Sequence, residues 1–163
     1  MAKRAASSGT PATLLLDQAG VPYTLHGYEH DPRTASYGVE AAEALGFPPA
    51  RVFKTLMVST GPSLAVAIIP VATSLDLKAC GAALGVKRVG MADPAVAQRR
   101  TGYVLGGISP LGQRQASPTV LDGSALGFPT ILVSAGRRGL DVELAARDLL
   151  RLTGASVADL GAD

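Results

Sequence analysis

At 163 residues, 47% hydrophobic and 17% charged, the chain can bury roughly 70% of its unfolded surface in one core, which excludes a disordered polymer. A single cysteine excludes an internal disulfide framework and a Cys-rich zinc site, and makes the cytoplasm the expected compartment. The net charge of +2, the absence of Trp and 4% aromatics argue against a strongly basic nucleic-acid binder or a stacking platform for single-stranded bases.

Residues 1–9 are expected to form a disordered tail and 10–163 one domain; MAKRAASSGTPAT has no apolar h-region, so no signal peptide is expected. Thr10 before Pro11 is a helix start, and ATLLLDQAG a short amphipathic helix stopped at Gly20. PYTLHGYEH alternates as a strand and runs into a loop at HDPRTAS. SYGVEAAEALG is a second helix, ended by Gly46 and Phe47-Pro48-Pro49. RVFKTLMV, residues 51–58, is a strand in which Lys54 shares a face with Val52, Leu56 and Val58. A turn at TGPS leads to LAVAIIPVA, far short of the ~20 residues a membrane helix needs and read as a buried strand.

TSLDLKACGAALG reads as a helix opened by a capping box from Thr73 to Asp76 and stopped at Gly85. VKRVGMA is a short strand, and DPAVAQRRTG a helix with Asp93 as N-cap, Pro94 at the first position and an end at Gly102. YVLGGISPLGQ is a strand entering a glycine-rich loop; PTVLD and FPTILVSA are two further strands. GRRGLD then turns into a last helix, VELAARDLLRLTG, with Val142, Ala145, Leu149 and Leu152 as its apolar stripe. Strands and helices without an even βαβ rhythm predict a single α/β domain, a curved, barrel-like mixed sheet flanked by helices.

Five features bear on chemistry. Cys80 sits among small apolar residues and reads as core. His26 and His30, near Glu29 and Asp31, match no metal motif and are expected to bond to backbone in a loop. In LGGISPLGQ, Gly106 and Gly107 allow a close backbone approach while Pro110 fixes the loop, with an ordinary turn as the equal alternative. Asp141 reads first as the N-cap of the last helix. Lys54 is either a side chain whose stem packs while its ammonium reaches solvent, or a fixed charge at the rim of a cavity. The paired basics Lys3-Arg4, Lys87-Arg88, Arg99-Arg100 and Arg137-Arg138 read first as solvated surface, with contact to phosphates as the alternative.

In order along the chain, YEHDP, VFKTLMV, MADPAVAQRRTGY, GGISPLGQ and GRRGLDVELAARDLL resemble the YbaK/EbsC-type Cys-tRNA(Pro) deacylases, free-standing relatives of the editing domain of bacterial prolyl-tRNA synthetase. The resemblance runs from about Val21 to Asp159. It implies a cofactor-free hydrolase that removes cysteine from proline tRNA and acts beside prolyl-tRNA synthetase. Cysteine and proline are near in size, so a synthetic site separates them by only a few kcal/mol and a second site must clear the error. The resemblance puts the family's lysine on Lys54, its Gly-x-x-x-Pro loop on Gly106 to Pro110 (with Gly107 and Ser109 inside it), its aspartate on Asp141, a pocket serine on Ser134 and a pocket tyrosine on Tyr28. It also implies that the substrate's own thiol is the nucleophile. The alternatives are a deacylase for another small aminoacyl-tRNA, such as Ala-tRNA(Pro), and a non-catalytic protein that binds tRNA or the synthetase.

Overall fold

Helix α1 (Pro11–Ala19) starts as its sequence dictates: the Thr10 and Thr13 side chains cap one another's backbone N–H groups, and Gly20 at φ 68° ends it. The Thr10 hydroxyl also donates to the Ala135 carbonyl at 2.6 Å, tying the helix start to a distant strand. The computed structural model describes residues 9–34 and 36–162, so the tail expected over 1–9 lies, apart from Gly9, outside the described residues. Strand β1 (Thr24–Gly27) and helix α2 (Tyr37–Leu45) follow, and a 3₁₀ turn at Pro49–Arg51 leads into β2 (Phe53–Ser59) and β3 (Leu64–Pro70). Then come α3 (Leu77–Leu84), β4 (Gly90–Met91), α4 (Pro94–Thr101), β5 (Thr119–Asp122), a 3₁₀ turn at Gly123–Gly127, β6 (Ile131–Arg137), β7 (Leu140–Leu144), α5 (Ala146–Thr153) and β8 (Ser156–Ala158).

The strands form a three-stranded antiparallel sheet, β1-β7-β6, and a five-stranded mixed sheet, β4-β2-β3-β5-β8, in which β5 pairs in parallel with β3 and β8. One isolated parallel bridge, Val52 to Leu132, joins them. The combined surface curls without closing into a barrel. The unbroken apolar run of β3 has a simple cause, since both its faces are covered. Val66 and Ile68 enter a large core with Phe53, Leu121, Val133 and Leu149, while Ala65, Ala67 and Ile69 enter a second with Val58, Val120 and Cys80. Truncating the fully buried Ile68 to alanine costs about 2–5 kcal/mol in such a core. A third, smaller core unites Ala41 and Ala42 of α2 with Val52, Val71 and Leu132.

Four expectations are corrected. The third helix begins after Asp76, whose carboxylate accepts from the Ala79 amide at 3.0 Å, so Asp76 is itself the N-cap and no box starts at Thr73. The segment after Gly102 is a series of turns instead of a strand, closed by the Tyr103 hydroxyl donating to the Leu111 carbonyl at 2.6 Å. Of VKRVGMA only Gly90–Met91 pairs, at Val58 and Ser59. Most consequentially, Asp141 caps no helix: it lies in β7, which hairpins back on β6, and α5 begins only after Ala145. Val142 therefore packs as a strand residue in the main core.

Candidate functional site

The Val52–Leu132 bridge positions the site. The two strands run parallel there, so two residues onward Lys54 of β2 and Ser134 of β6 leave the bridge in the same direction and on the same side of their strands. Ser134 pairs directly with Asp141 of β7, and Asp141 with His26 of β1. The chain leaving β1 brings in Tyr28, whose N–H donates to the Gly139 carbonyl at 2.9 Å. Beyond the bridge lies a cavity of about 430 Å³ that continues the third core and is lined by Lys54, Ser134, Asp141 and Tyr28, with Tyr37 of α2 and Gly106 over it.

Its electrostatics are uncompensated. Burial alone lowers the Lys54 ammonium below its ordinary range, and no carboxylate pairs with it among the described residues. Burial alone pushes the Asp141 carboxyl up to about 7. Neither shift has the other charge as a cause, so the lysine and the acid face one cavity without neutralising each other. The Tyr28 phenol rises to about 12 through burial and, next, through the charge of Asp141. A buried charge without a partner is costly, and a ligand that supplies both counter-groups removes that cost.

Of the expected site residues, Tyr28, Lys54, Gly106, Ser134 and Asp141 line the cavity; Gly107, Ser109 and Pro110 do not. These three are buried behind it and build the loop that carries Gly106. Gly107 donates its N–H to Val104 at 2.9 Å, and a Cβ there would lie 2.7 Å from the Arg137 Cα, so only glycine lets the loop pack on the β6–β7 turn. The Ser109 hydroxyl accepts from the Leu111 amide at 3.1 Å. Gly106 at φ 86° turns the backbone towards the cavity under Tyr37 and Arg138.

Three residues escape a reading of the sequence. Tyr37 stands at the start of α2, with the Arg138 guanidinium 5.1 Å from its ring centroid; Arg138 also donates from Nε to the Leu105 carbonyl at 2.9 Å, pinning the loop rim. Thr55 lines the cavity with a buried hydroxyl that has no hydrogen-bond partner among the described residues. A lone hydroxyl in an apolar strand is a sequence signal for Thr55; Arg138 shows in the sequence only as half of a basic pair read as surface, and nothing signals Tyr37. The histidines also differ from expectation, since each bonds to a carboxylate and not to backbone. His26 Nε2 donates to Glu143 at 2.7 Å and His30 Nδ1 to Glu40 at 2.8 Å. Among the described residues no group of three or more His, Cys, Asp or Glu side chains could hold a metal, and no helix is long and apolar enough to cross a membrane.

Comparison with known proteins identifies the frame. The model of the aminoacyl-tRNA editing domain matches residues 31–152. The chain belongs to the aminoacyl-tRNA editing domain family. Within that family it is 38% identical, over 98% of both chains, to an Enterococcus faecalis protein named "Putative Cys-tRNA(Pro)/Cys-tRNA(Cys) deacylase EbsC". The solved structure of "a putative trans-editing enzyme for prolyl tRNA synthetase" superposes with a TM-score of 0.83 at 27% identity, covering 96% of this editing domain and 98% of that chain. A solved hypothetical protein gives 0.81 at 26% identity, over 92% and 98%.

Proposed function

We propose that the protein is a trans-editing hydrolase that deacylates Cys-tRNA(Pro), the substrate's own thiol serving as nucleophile. One observation carries the reading: among the described residues the cavity presents one cation and one acid, and no histidine or cysteine lines it to make an activated nucleophile. An aminoacyl ester of tRNA fits that pair, because it has an α-ammonium at one end and a phosphodiester anion a ribose away. The name of the Enterococcus relative supports cysteine as the amino acid, and the solved trans-editing relative supports action beside prolyl-tRNA synthetase.

Asp141 and Tyr28 receive the α-ammonium end, Ser134 narrows the pocket beside them, and Lys54 faces the ribose-phosphate end. The cysteinyl sulfur attacks its own ester carbonyl. A carbon–sulfur bond forms and the carbon–oxygen ester bond breaks; the thiol proton ends on the departing ribose hydroxyl. Water then opens the thiolactone, giving cysteine and free tRNA. The protein's part is geometry and charge: the Gly106 backbone approaches the carbonyl oxygen as it gains charge, Gly107 lets the loop come that close, Ser109 and Pro110 hold the loop's shape, and Lys54 offsets the developing anion.

The test compares hydrolysis of Cys-, Ala- and Ser-tRNA(Pro) and of S-methylcysteinyl-tRNA(Pro), with and without prolyl-tRNA synthetase. The expected result is rapid loss of cysteine only, with the S-methyl ester resistant and the synthetase lowering KM. Equal hydrolysis of the S-methyl or alanyl ester removes the thiol from the mechanism.

A further inference from the structure

One of the basic pairs that look merely solvated in sequence lines a second hollow. This cavity, of about 460 Å³, lies between the β2–β3 hairpin, from Ser59 to Leu64, and the C-terminal end of α4, where Arg99 and Arg100 line it with Gln115. The register Ser59 to Gly90 carries the chain of Lys87 and Arg88 alongside the same hairpin. The Gln115 amide donates to the Arg100 carbonyl, which holds Gln115 in the lining beside the pair. Lys87, Arg88, Arg99, Arg100 and Arg114 pair with no carboxylate among the described residues. The one acid in the lining, Asp93, already accepts from the Ala95 and Val96 amides as the α4 N-cap.

A helix C-terminus by itself favours basic residues, which gives Arg99 and Arg100 a modest structural role. That role does not explain why Arg100 is fixed by donating to the Ser117 hydroxyl at 3.0 Å and the Ala116 carbonyl at 2.7 Å, nor why the lining holds no carboxylate free to answer the pair. The place also has a direction. β2 runs from Lys54 at the first cavity to Ser59 at the second, about 17 Å along an extended strand. From the second cavity, α4 and its following turns return to Leu105 and Gly106 at the first, Leu105 N–H donating to the Gln98 side chain at 2.8 Å. We propose that the Arg99–Arg100 cavity is a phosphate clamp for the RNA strand whose aminoacylated end occupies the Lys54 cavity. Only the seating of the aminoacylated end in the Lys54 cavity rests on the proposed deacylase reading; the clamp itself concerns RNA binding.

The experiment measures binding of an unacylated tRNA by fluorescence anisotropy across a range of salt, for wild type, Arg99→Ala, Arg99→Glu and Arg151→Ala. Arg99 is exposed and makes no hydrogen bond or ion pair among the described residues, so its variants are expected to melt with wild type. Arg99→Ala should weaken binding and flatten the log–log salt slope by about 0.7–1, the loss of one phosphate contact, and Arg99→Glu should weaken it further. Arg151, paired with Asp148 on α5, should matter little. With charged tRNA, Arg99→Ala should raise KM and leave kcat unchanged. Binding by Arg99→Glu equal to wild type overturns the clamp, as does an equal loss in Arg151→Ala, which would reduce the effect to net charge. If wild type hydrolyses no aminoacyl-tRNA while the Arg99 differences persist, the proposed reaction fails and the clamp stands.

Discussion

Asp141 and Glu143 stand two residues apart on β7, on one face of the same strand, and have opposite fates. Glu143 is fully engaged: Thr130 donates to it at 2.6 Å, His26 at 2.7 Å and Arg51 at 2.8 Å. The Thr130 hydrogen bond, with His26 and Arg51 adding to it, holds its carboxyl below the usual range against the opposing effect of burial. Asp141 has burial and no such partner among the described residues, and rises to about 7. The cations repeat the contrast. Arg51 is tied to Thr130 and Glu143, whereas Lys54, three residues on, has no ion-pair partner among the described residues. The charges that brace the fold and those that face the cavity are thus told apart, even within one strand, by whether they are answered inside the fold.

The largest expected effect tests the sign of that difference. The folded protein holds a proton on Asp141 that the unfolded chain, at 3.8, has already released, so stability falls as pH rises from about 4 to about 7, by on the order of 4 kcal/mol if no other group responds. Glu143 acts oppositely: its contribution is present above the ordinary carboxylate range and is lost as pH falls through its lowered folded value. Urea unfolding at mildly acidic and mildly alkaline pH should show Asp141→Asn gaining on wild type as pH rises, while Glu143→Gln gains on wild type as pH falls. Parallel curves for Asp141→Asn and wild type would mean that its carboxyl is answered after all.

Next in size is Lys54→Ala, expected to slow Cys-tRNA(Pro) deacylation about a hundredfold, some 3 kcal/mol of barrier, without loss of stability, since it removes a half-buried charge that the fold does not answer. Activity within a few-fold of wild type sinks the assigned role. Glu143→Gln is the complement: a stability cost of about 1–2 kcal/mol near neutral pH, from a network that remains partly solvated, with kcat within a few-fold of wild type. A large fall in kcat at normal stability would move Glu143 into the site.

How far the sequence carries depends on whether a signal is local. Thr10-Pro11, Asp93-Pro94 and the glycine stops name their helix ends, because caps are settled by neighbours in the chain. Lys54 draws notice as a charge in an apolar strand. The segment from Leu140 to Leu152 is undecidable locally: Leu140, Val142 and Leu144 alternate as a strand, while Val142, Ala145, Leu149 and Leu152 also recur at helical spacing. Pairing with β6 across Arg138-Gly139 decides it, and with it the difference between a helix cap and a cavity acid at Asp141. The juxtaposition of Lys54 with Ser134 rests on one bridge between residues 80 positions apart, and the roof by Tyr37 on packing alone; neither leaves a mark in periodicity.

The smallest expected effect guards the comparison against a simpler rule, that any group raised by burial is functional. Burial also raises the Cys80 thiol, by itself, as it does the Asp141 carboxyl. The surroundings differ. Cys80 is fully buried on α3 against Val58, Ala65 and Ile69, lines neither cavity, and is reached by no histidine–carboxylate pair. A thiol held neutral in an apolar core is a poor nucleophile and packs as a small hydrophobe. Cys80→Ala should therefore deacylate Cys-tRNA(Pro) at the wild-type rate and lose about 1 kcal/mol or less of stability, the cost of one small buried group. A variant that melts like wild type yet hydrolyses nothing would make Cys80 the nucleophile, and the unanswered pair Lys54 and Asp141 would then be bystanders; a wild-type rate leaves access to the cavity, and not burial alone, as the property that separates Asp141 from Cys80.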